Sequence, residues 1–245
     1  MAEPIRVEYV EARKVLLDVL DALRGHHDAL IIVGAQAVYL RTEGRLPEYQ
    51  AFTTDADVVL DPEHLGPRPP LGEAMESAGF QYTGEPGVWE AHIQRPDFDA
   101  PIVVPIDLIV PEAVAPKAGR RAARLPDDHG KATARKGPGL EGALVDHGPM
   151  EIHALGPDDD RGCTVKVAGP AALLIAKYHK LGERLATPQR LDAKDAGDVF
   201  RLYDVIDAET MAGRMHILLA DNRSSAASET GVVTPPSVDA QAARL

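Results

Sequence analysis

The stretch over residues 29–44, ALIIVGAQAVYLRTEG, limits most sharply what this chain can fold into. ALIIV is a short continuous apolar run suited to a buried strand. Gly34 follows at once and opens GAQAVYLRTEG, which reads as a helix ended by Gly44. Strand, glycine turn and helix in direct succession belong to an α/β organisation. Further along, Val58, Val59 and Leu60 predict another strand. GVWEAHIQ (87–94) and PIVVPIDLIVP (101–111) predict two neighbouring strands, with RPDFDA supplying turn chemistry nearby.

Helices surround these runs. In RVEYVEARKVLLDVLDALRG (6–25), Val7, Val10, Val15, Leu16, Val19, Leu20 and Leu23 fall near a helical repeat, and Gly25 is a plausible stop. Pro62, Pro67, Pro69 and Pro70 mark a loop before a short helix, LGEAMESAGF (71–80). Residues 112–163 are rich in Gly, Pro, Arg and Asp and are expected to be irregular, apart from a short strand near MEIHAL (150–155). TVKVAGP then leads into a helix, AALLIAKYHKLGER (171–184), and two more are expected over 191–206 and 208–222. The expected organisation is a mixed α/β part over 1–160 with a basic irregular insertion near 112–149. A helical part over 161–222 and a loosely held tail over 223–245 follow.

With 245 residues, the chain can form one large domain or a smaller one with an appendage. Hydrophobic residues at 44% and charged residues at 26% are the balance of an ordinary soluble globular protein, and 4% aromatics predict an aliphatic core. No apolar stretch approaches the roughly 20 residues that span a bilayer. MAEPIRVEYVEARK lacks the basic-then-apolar form of a secretory signal, so no membrane partner and a cytoplasmic location are expected. The single cysteine, Cys163, has no partner for an internal disulfide, in keeping with a reducing compartment. A net charge of −12 argues against a general electrostatic grip on nucleic acid, and no DNA specificity is expected. Lys117, Arg120, Arg121, Arg124, Lys131, Arg135 and Lys136 nonetheless make a basic island, which reads either as a solvated insertion or as a dock for an RNA backbone.

The chemistry concentrates in FTTDADVVLD (52–61). Side chains two apart on a strand share a face, so Asp55 and Asp57 point the same way, and two carboxylates so close repel unless a cation or proton compensates them. Mg²⁺ takes oxygen ligands, commonly one or two carboxylates completed by substrate phosphates. Asp107, an acid inside the otherwise apolar VPIDLIV, is the candidate third carboxylate, because burial without a partner is costly. Asp61, beyond the apolar run and before Pro62, reads as a strand end.

This order of features resembles the nucleotidyltransferase superfamily: an apolar strand, a Gly-Gly or Gly-Ser turn into a helix, an Asp-x-Asp, and a third carboxylate on a later strand. Here the turn is VGAQA, with Ala35 at the second position. The resemblance implies a mixed β-sheet flanked by helices. Gly34 and Gln36, or the amides at the helix start, would then meet a nucleoside triphosphate. LLIAKYHKLGER followed by RLDAKDAGDVFRL looks like the later motifs of the AbiEii/AbiGii-type toxin family, which includes the MenT-type toxins. Their positions fall on Lys177, Arg184, Lys194, Asp195 and Asp198, and Thr53 matches a hydroxyl residue two before the first Asp. An Arg often found just before that hydroxyl is absent, with Ala51 and Phe52 in its place.

What the resemblance implies is a transferase that moves a nucleotide from an NTP to an acceptor hydroxyl, with Mg²⁺ held by Asp55, Asp57 and Asp107. Asp107 would complete the second metal or act as base. Lys177 and Asp195 would join these carboxylates as catalytic residues. Gly34, Gln36, Thr53, Arg184, Lys194 and Asp198 would form the nucleotide site. The acceptor implied is an RNA 3′ end, that of tRNA, and the protein a toxin restrained by a partner antitoxin or kinase. A small-molecule acceptor of the aminoglycoside kind fits the acidic chain better than RNA does, and an idle binding member is the third reading. Helical spacing puts Lys194 with Asp198, and Lys177 with Arg184, on shared faces. Lys180 and Glu183 read as solvated helix charges. The histidines lack ligand spacing, Cys163 lacks a cationic neighbour motif, and GPGLEG (137–142) lacks the Lys-Ser/Thr of a P-loop.

Overall fold

The computed structural model of the protein describes residues 5–43, 45, 51–115, 121–126, 128–185 and 193–233. Gly44, Lys117, Arg120 and the first residues of the helix expected over 191–206 lie outside this set. So does the tail beyond 233.

Helix α1 (Val7–Ala22) lays Val15, Leu16, Val19 and Leu20 against the sheet, and a 3₁₀ segment (Arg24–Ala29) delivers the chain to β1 (Leu30–Ile32). Every residue of β1 is buried, as its unbroken apolar run requires. After α2 (Gly34–Arg41) come β2 (Ala56–Leu60), α3 (Leu71–Ser77), β3 (Gln81–Tyr82), β4 (Val88–Ile93) and β5 (Ile102–Pro111). The strands β6 (Arg135–Gly137), β7 (His147–His153) and β8 (Gly162–Ala168) follow, then the helices α4 (Pro170–Leu185), α5 (Ala193–Val205), α6 (Ala208–Ala220) and α7 (Ser225–Val233).

The strands form one mixed sheet in the order β3-β4-β5-β2-β1-β8-β7, with β6 added to β5. It takes strands from both sides of residue 160. β2 and β5 are parallel, whereas β1 and β2 are antiparallel. β4 accompanies β5 as far as Asp107, and β6 pairs with β5 over Ile109–Pro111. α4 starts at Pro170, whose missing N–H is no loss at a helix start. The Asp146 carboxylate accepts from the next two amides, Ala171 at 3.1 Å and Ala172 at 3.2 Å, closing that helix end. Among the described residues, no helix is long and apolar enough to cross a membrane.

Two expectations need correction. The segment 112–163 is not irregular around a single short strand: it carries β6 and a full seven-residue β7, and β8 begins at its end. The tail from Arg223 is not loosely held at its start. Ser224 and Ser228 are fully buried, and α7 packs on α4 and α6.

Candidate active site

A cleft of about 640 Å³ opens where β2 and β5 face α4. One wall carries carboxylates. Asp57 lies on β2 directly beside Asp107 on β5, in parallel register, so both side chains leave the same face of the sheet. Asp55, just ahead of β2, lines the same space. The other wall carries Lys177, Lys180 and Arg184 of α4, and the rim carries Arg121, Arg135 and Lys136.

Asp57 bears the strain of this arrangement. Burial, then the nearby charges of Asp55 and Asp107, push its carboxyl up to about 7, and Lys180 and Arg135 only partly oppose them. Gly34 makes room for it. Its φ of +70° suits glycine, and a β-carbon there would stand 2.0 Å from Asp57 Oδ2. Gly34 thus lines the cleft, and what it contributes there is room for this carboxylate.

Asp55 is positioned from three directions. The Thr53 hydroxyl donates to Asp55 Oδ1, and Lys194 Nζ donates to Thr53 Oγ1 at 2.8 Å and stands 3.9 Å from Asp55 Oδ1. Gln36 donates from Nε2 to the Asp55 carbonyl at 3.0 Å and to the Ala12 carbonyl at 3.1 Å, while its Oε1 accepts from Arg13 Nε at 2.8 Å. Gln36 is 2% exposed, and its amide is committed to these three hydrogen bonds. Gln36, an expected nucleotide contact, holds the Asp55 backbone in this structure.

Lys177 is 5% exposed and lies between Asp195 Oδ1 at 3.2 Å and Asp198 Oδ2 at 2.5 Å. Burial works against its ammonium, but Asp198 and Asp195 outweigh it and hold the pKa above the ordinary lysine value. Asp195 is likewise held below the carboxylate range: burial opposes ionisation, and Lys177, Lys180 and Arg184 win. Both its oxygens are taken, by Lys177 and by Arg184, and it is 2% exposed. Asp195, expected among the catalytic residues, is thus ion-paired to Lys177, Lys180 and Arg184, and Asp198, 1% exposed, is paired to Lys177 beside it.

Asp107 departs from expectation too. Arg135 donates to both its oxygens, Nε to Oδ1 and Nη2 to Oδ2, each at 2.9 Å. Among the described residues, no group of three His, Cys, Asp or Glu side chains is placed to hold a metal ion. Of the expected set of Asp55, Asp57 and Asp107, the third member is engaged by the Arg135 guanidinium. The donor chemistry of the remaining two still fits Mg²⁺: they are carboxylate oxygens, and two are what this cation takes when substrate phosphates complete its shell.

The sequence reading missed Lys180, which lines the cleft with its ammonium 3.6 Å from Asp195, and Arg135, which belongs to a strand and not to a solvated insertion. The signal for Lys180 was its spacing: Lys177, Lys180 and Arg184 recur at three and four residues, one face of a helix.

No family model matches the chain, and no curated protein matches it. Among solved structures it is similar to ANT(2″)-Ia, crystallised in complex with adenylyl-2″-tobramycin. The identity is 14% and the TM-score 0.42, over 89% of this chain and 97% of that one. A likeness at that level assigns no role to any residue.

Proposed function

We propose that the protein is a Mg²⁺-dependent nucleotidyltransferase. The observation that carries this reading is one cleft with carboxylates on its sheet wall and cations on its helix wall. Such a wall pair is what a triphosphate requires, since its charge must be balanced by metal on one side and by fixed cations on the other. Asp55 and Asp57 would hold the cation, which when bound supplies charge neutralisation along the phosphates and a fixed geometry for the reacting groups. Lys180 and Arg184 face the phosphates. Lys177 acts through them, by fixing the carboxylate that orients both. The acceptor oxygen bonds to the α-phosphorus, the bond from that phosphorus to the bridging oxygen breaks, pyrophosphate leaves, and the hydroxyl proton passes to water in the open cleft.

The acceptor we propose is an RNA 3′ end. Arg121, Arg135 and Lys136 line the rim, so the basic segment opens onto the reaction space of a protein whose overall net charge is −12. Blocking a tRNA 3′ end would arrest translation, which fits the toxin role with a restraining antitoxin that the sequence resemblance implies. A second reading is a small cationic acceptor, favoured by Glu85 and Glu183 at the same cleft and by the overall acidity. The test is incubation with each labelled NTP and Mg²⁺, against total RNA and a panel of aminoglycosides, with Asp57→Ala alongside. Label on tRNA, lost in the variant, supports the first reading, and label on the amines alone supports the second. Absence of transfer together with absence of metal-dependent NTP binding overturns both.

A further inference from the structure

Building on the nucleotidyl-transfer reading, we infer that Arg135 is a latch on the third carboxylate. In the nucleotide-free protein it keeps Asp107 from binding a cation, and an arriving triphosphate takes Arg135 over and releases Asp107. Three observations carry this. Asp107 stands in register with Asp57 on the adjacent parallel strand, so it shares the face and the reach of the metal-binding pair. Yet both its oxygens are occupied at 2.9 Å by the two ends of one guanidinium fork. That fork matches a phosphate as well as it matches a carboxylate, because both offer two oxygens at similar spacing.

The pivot is also built for exchange. The Arg135 backbone is clamped: it pairs in register with Ile109 of β5, and Gly87 presses so close that a β-carbon there would lie 2.3 Å from Arg135 N. Gly87 itself is fixed by donating to the Ala132 carbonyl at 2.8 Å. The side chains are not clamped in the same way, since Arg135 and Asp107 are 31% and 28% exposed to the cleft. Exchange conserves charge: the guanidinium trades a carboxylate for a phosphate, and the carboxylate trades a guanidinium for a cation. The second cation site therefore exists only when nucleotide is present, which imposes an order on binding and keeps the empty enzyme half-assembled.

Mn²⁺ titration of the full chain, followed by calorimetry and by electron paramagnetic resonance, tests the latch with and without a non-hydrolysable NTP analogue. The wild type is expected to bind one Mn²⁺ alone and two with the analogue, and Arg135→Gln two in both conditions. Asp107→Asn, nearly isosteric, is expected to bind one in both. It is also expected to bind the analogue several-fold more tightly than wild type in the absence of metal, because Arg135 no longer has to leave a carboxylate. Two ions on the free wild type, one on free Arg135→Gln, or unchanged metal-free affinity in Asp107→Asn would each overturn the latch while leaving the transferase reading intact. No Mn²⁺ uptake by wild type even with the analogue would remove that reading and the latch together.

Discussion

Asp57 occupies the space that a side chain on Gly34 would need, the carboxylate oxygen lying 2.0 Å from the point where a β-carbon would be built. Gly34→Ala is accordingly expected to move the carboxylate rather than the helix. The left-handed backbone adds roughly 1–2 kcal/mol of strain to the substituted residue. Misplacing a reacting group by about 1 Å costs on the order of 100-fold in rate. A folded Gly34→Ala variant, checked by circular dichroism, should therefore lose transfer by about two decades. Wild-type rates from it would show that the contact is irrelevant to the chemistry.

The raised carboxyl of Asp57 makes the metal-free protein pH-sensitive in a definite direction. In the unfolded chain an aspartate titrates at ~3.9; here burial and the neighbouring Asp55 and Asp107 push the carboxyl up to about 7. The folded state thus favours the protonated form, and stability attributable to Asp57 is present at low pH and lost as pH rises from about 4 to 7. In the presence of chelator, Asp57→Asn should melt with wild type near pH 4 and above it by pH 8, by on the order of 5 °C. The same variant should lose metal-dependent NTP binding. Melting curves as a function of pH check this, and a gap that closes with rising pH would refute it.

Lys177 is a keystone of charge. Truncating it to alanine leaves Asp195 and Asp198 buried without their shared ammonium, which typically costs about 3–5 kcal/mol. Urea unfolding should register that loss. The triple variant Lys177→Met, Asp195→Asn, Asp198→Asn should recover most of the stability but not the transfer rate, because Arg184 and Lys180 lose their anchor.

Lys180 separates binding from folding. Its side chain is 46% exposed, so Lys180→Ala should leave the melting temperature within a degree or two of wild type. NTP affinity should fall by about tenfold, the size of one charge-assisted contact of roughly 1.4 kcal/mol. Calorimetry with an NTP analogue decides it; an unchanged Kd would remove Lys180 from the site.

Gln36→Leu leaves Arg13 Nε and the Asp55 carbonyl without their buried partner, at a cost of roughly 1–3 kcal/mol. Since Gln36 holds Asp55 by its backbone, kcat should drop more than KM rises. A variant impaired only in KM would instead mean that Gln36 contacts the nucleotide.

The carboxylate wall was legible in the sequence because its signal is local. Asp55 and Asp57 are marked by their shared strand face and mutual repulsion, and Asp107 by the cost of a charge inside an apolar strand run; the elements carrying them lie close to where periodicity placed them. β8 was legible in principle, since Val165 and Val167 alternate with polar residues and are buried. β6 was not. Three residues, RKG, have no apolar pattern, and they form a strand only because β5 offers an edge beyond the end of β4. The role of Gln36 was hidden for the same kind of reason: its partners Arg13 and Asp55 come from α1 and from the approach to β2, and only the docked fold brings them together. Lys180 by itself looks like any solvated helix charge, and only its helical face, shared with two other cleft cations, marks it out.

The hydrogen bond from Lys194 to Thr53 joins residues 141 positions apart. During synthesis the chain therefore emerges with its carboxylates first and its α4 and α5 cations last. A nascent polypeptide released only through β5 holds mutually repelling acids with no opposing wall, and the cleft closes only when α4 and α5 have followed. Closure of the cleft is thus deferred by topology until both walls have emerged, and a product cut short before α4 would lack its cations whatever the integrity of its aspartates.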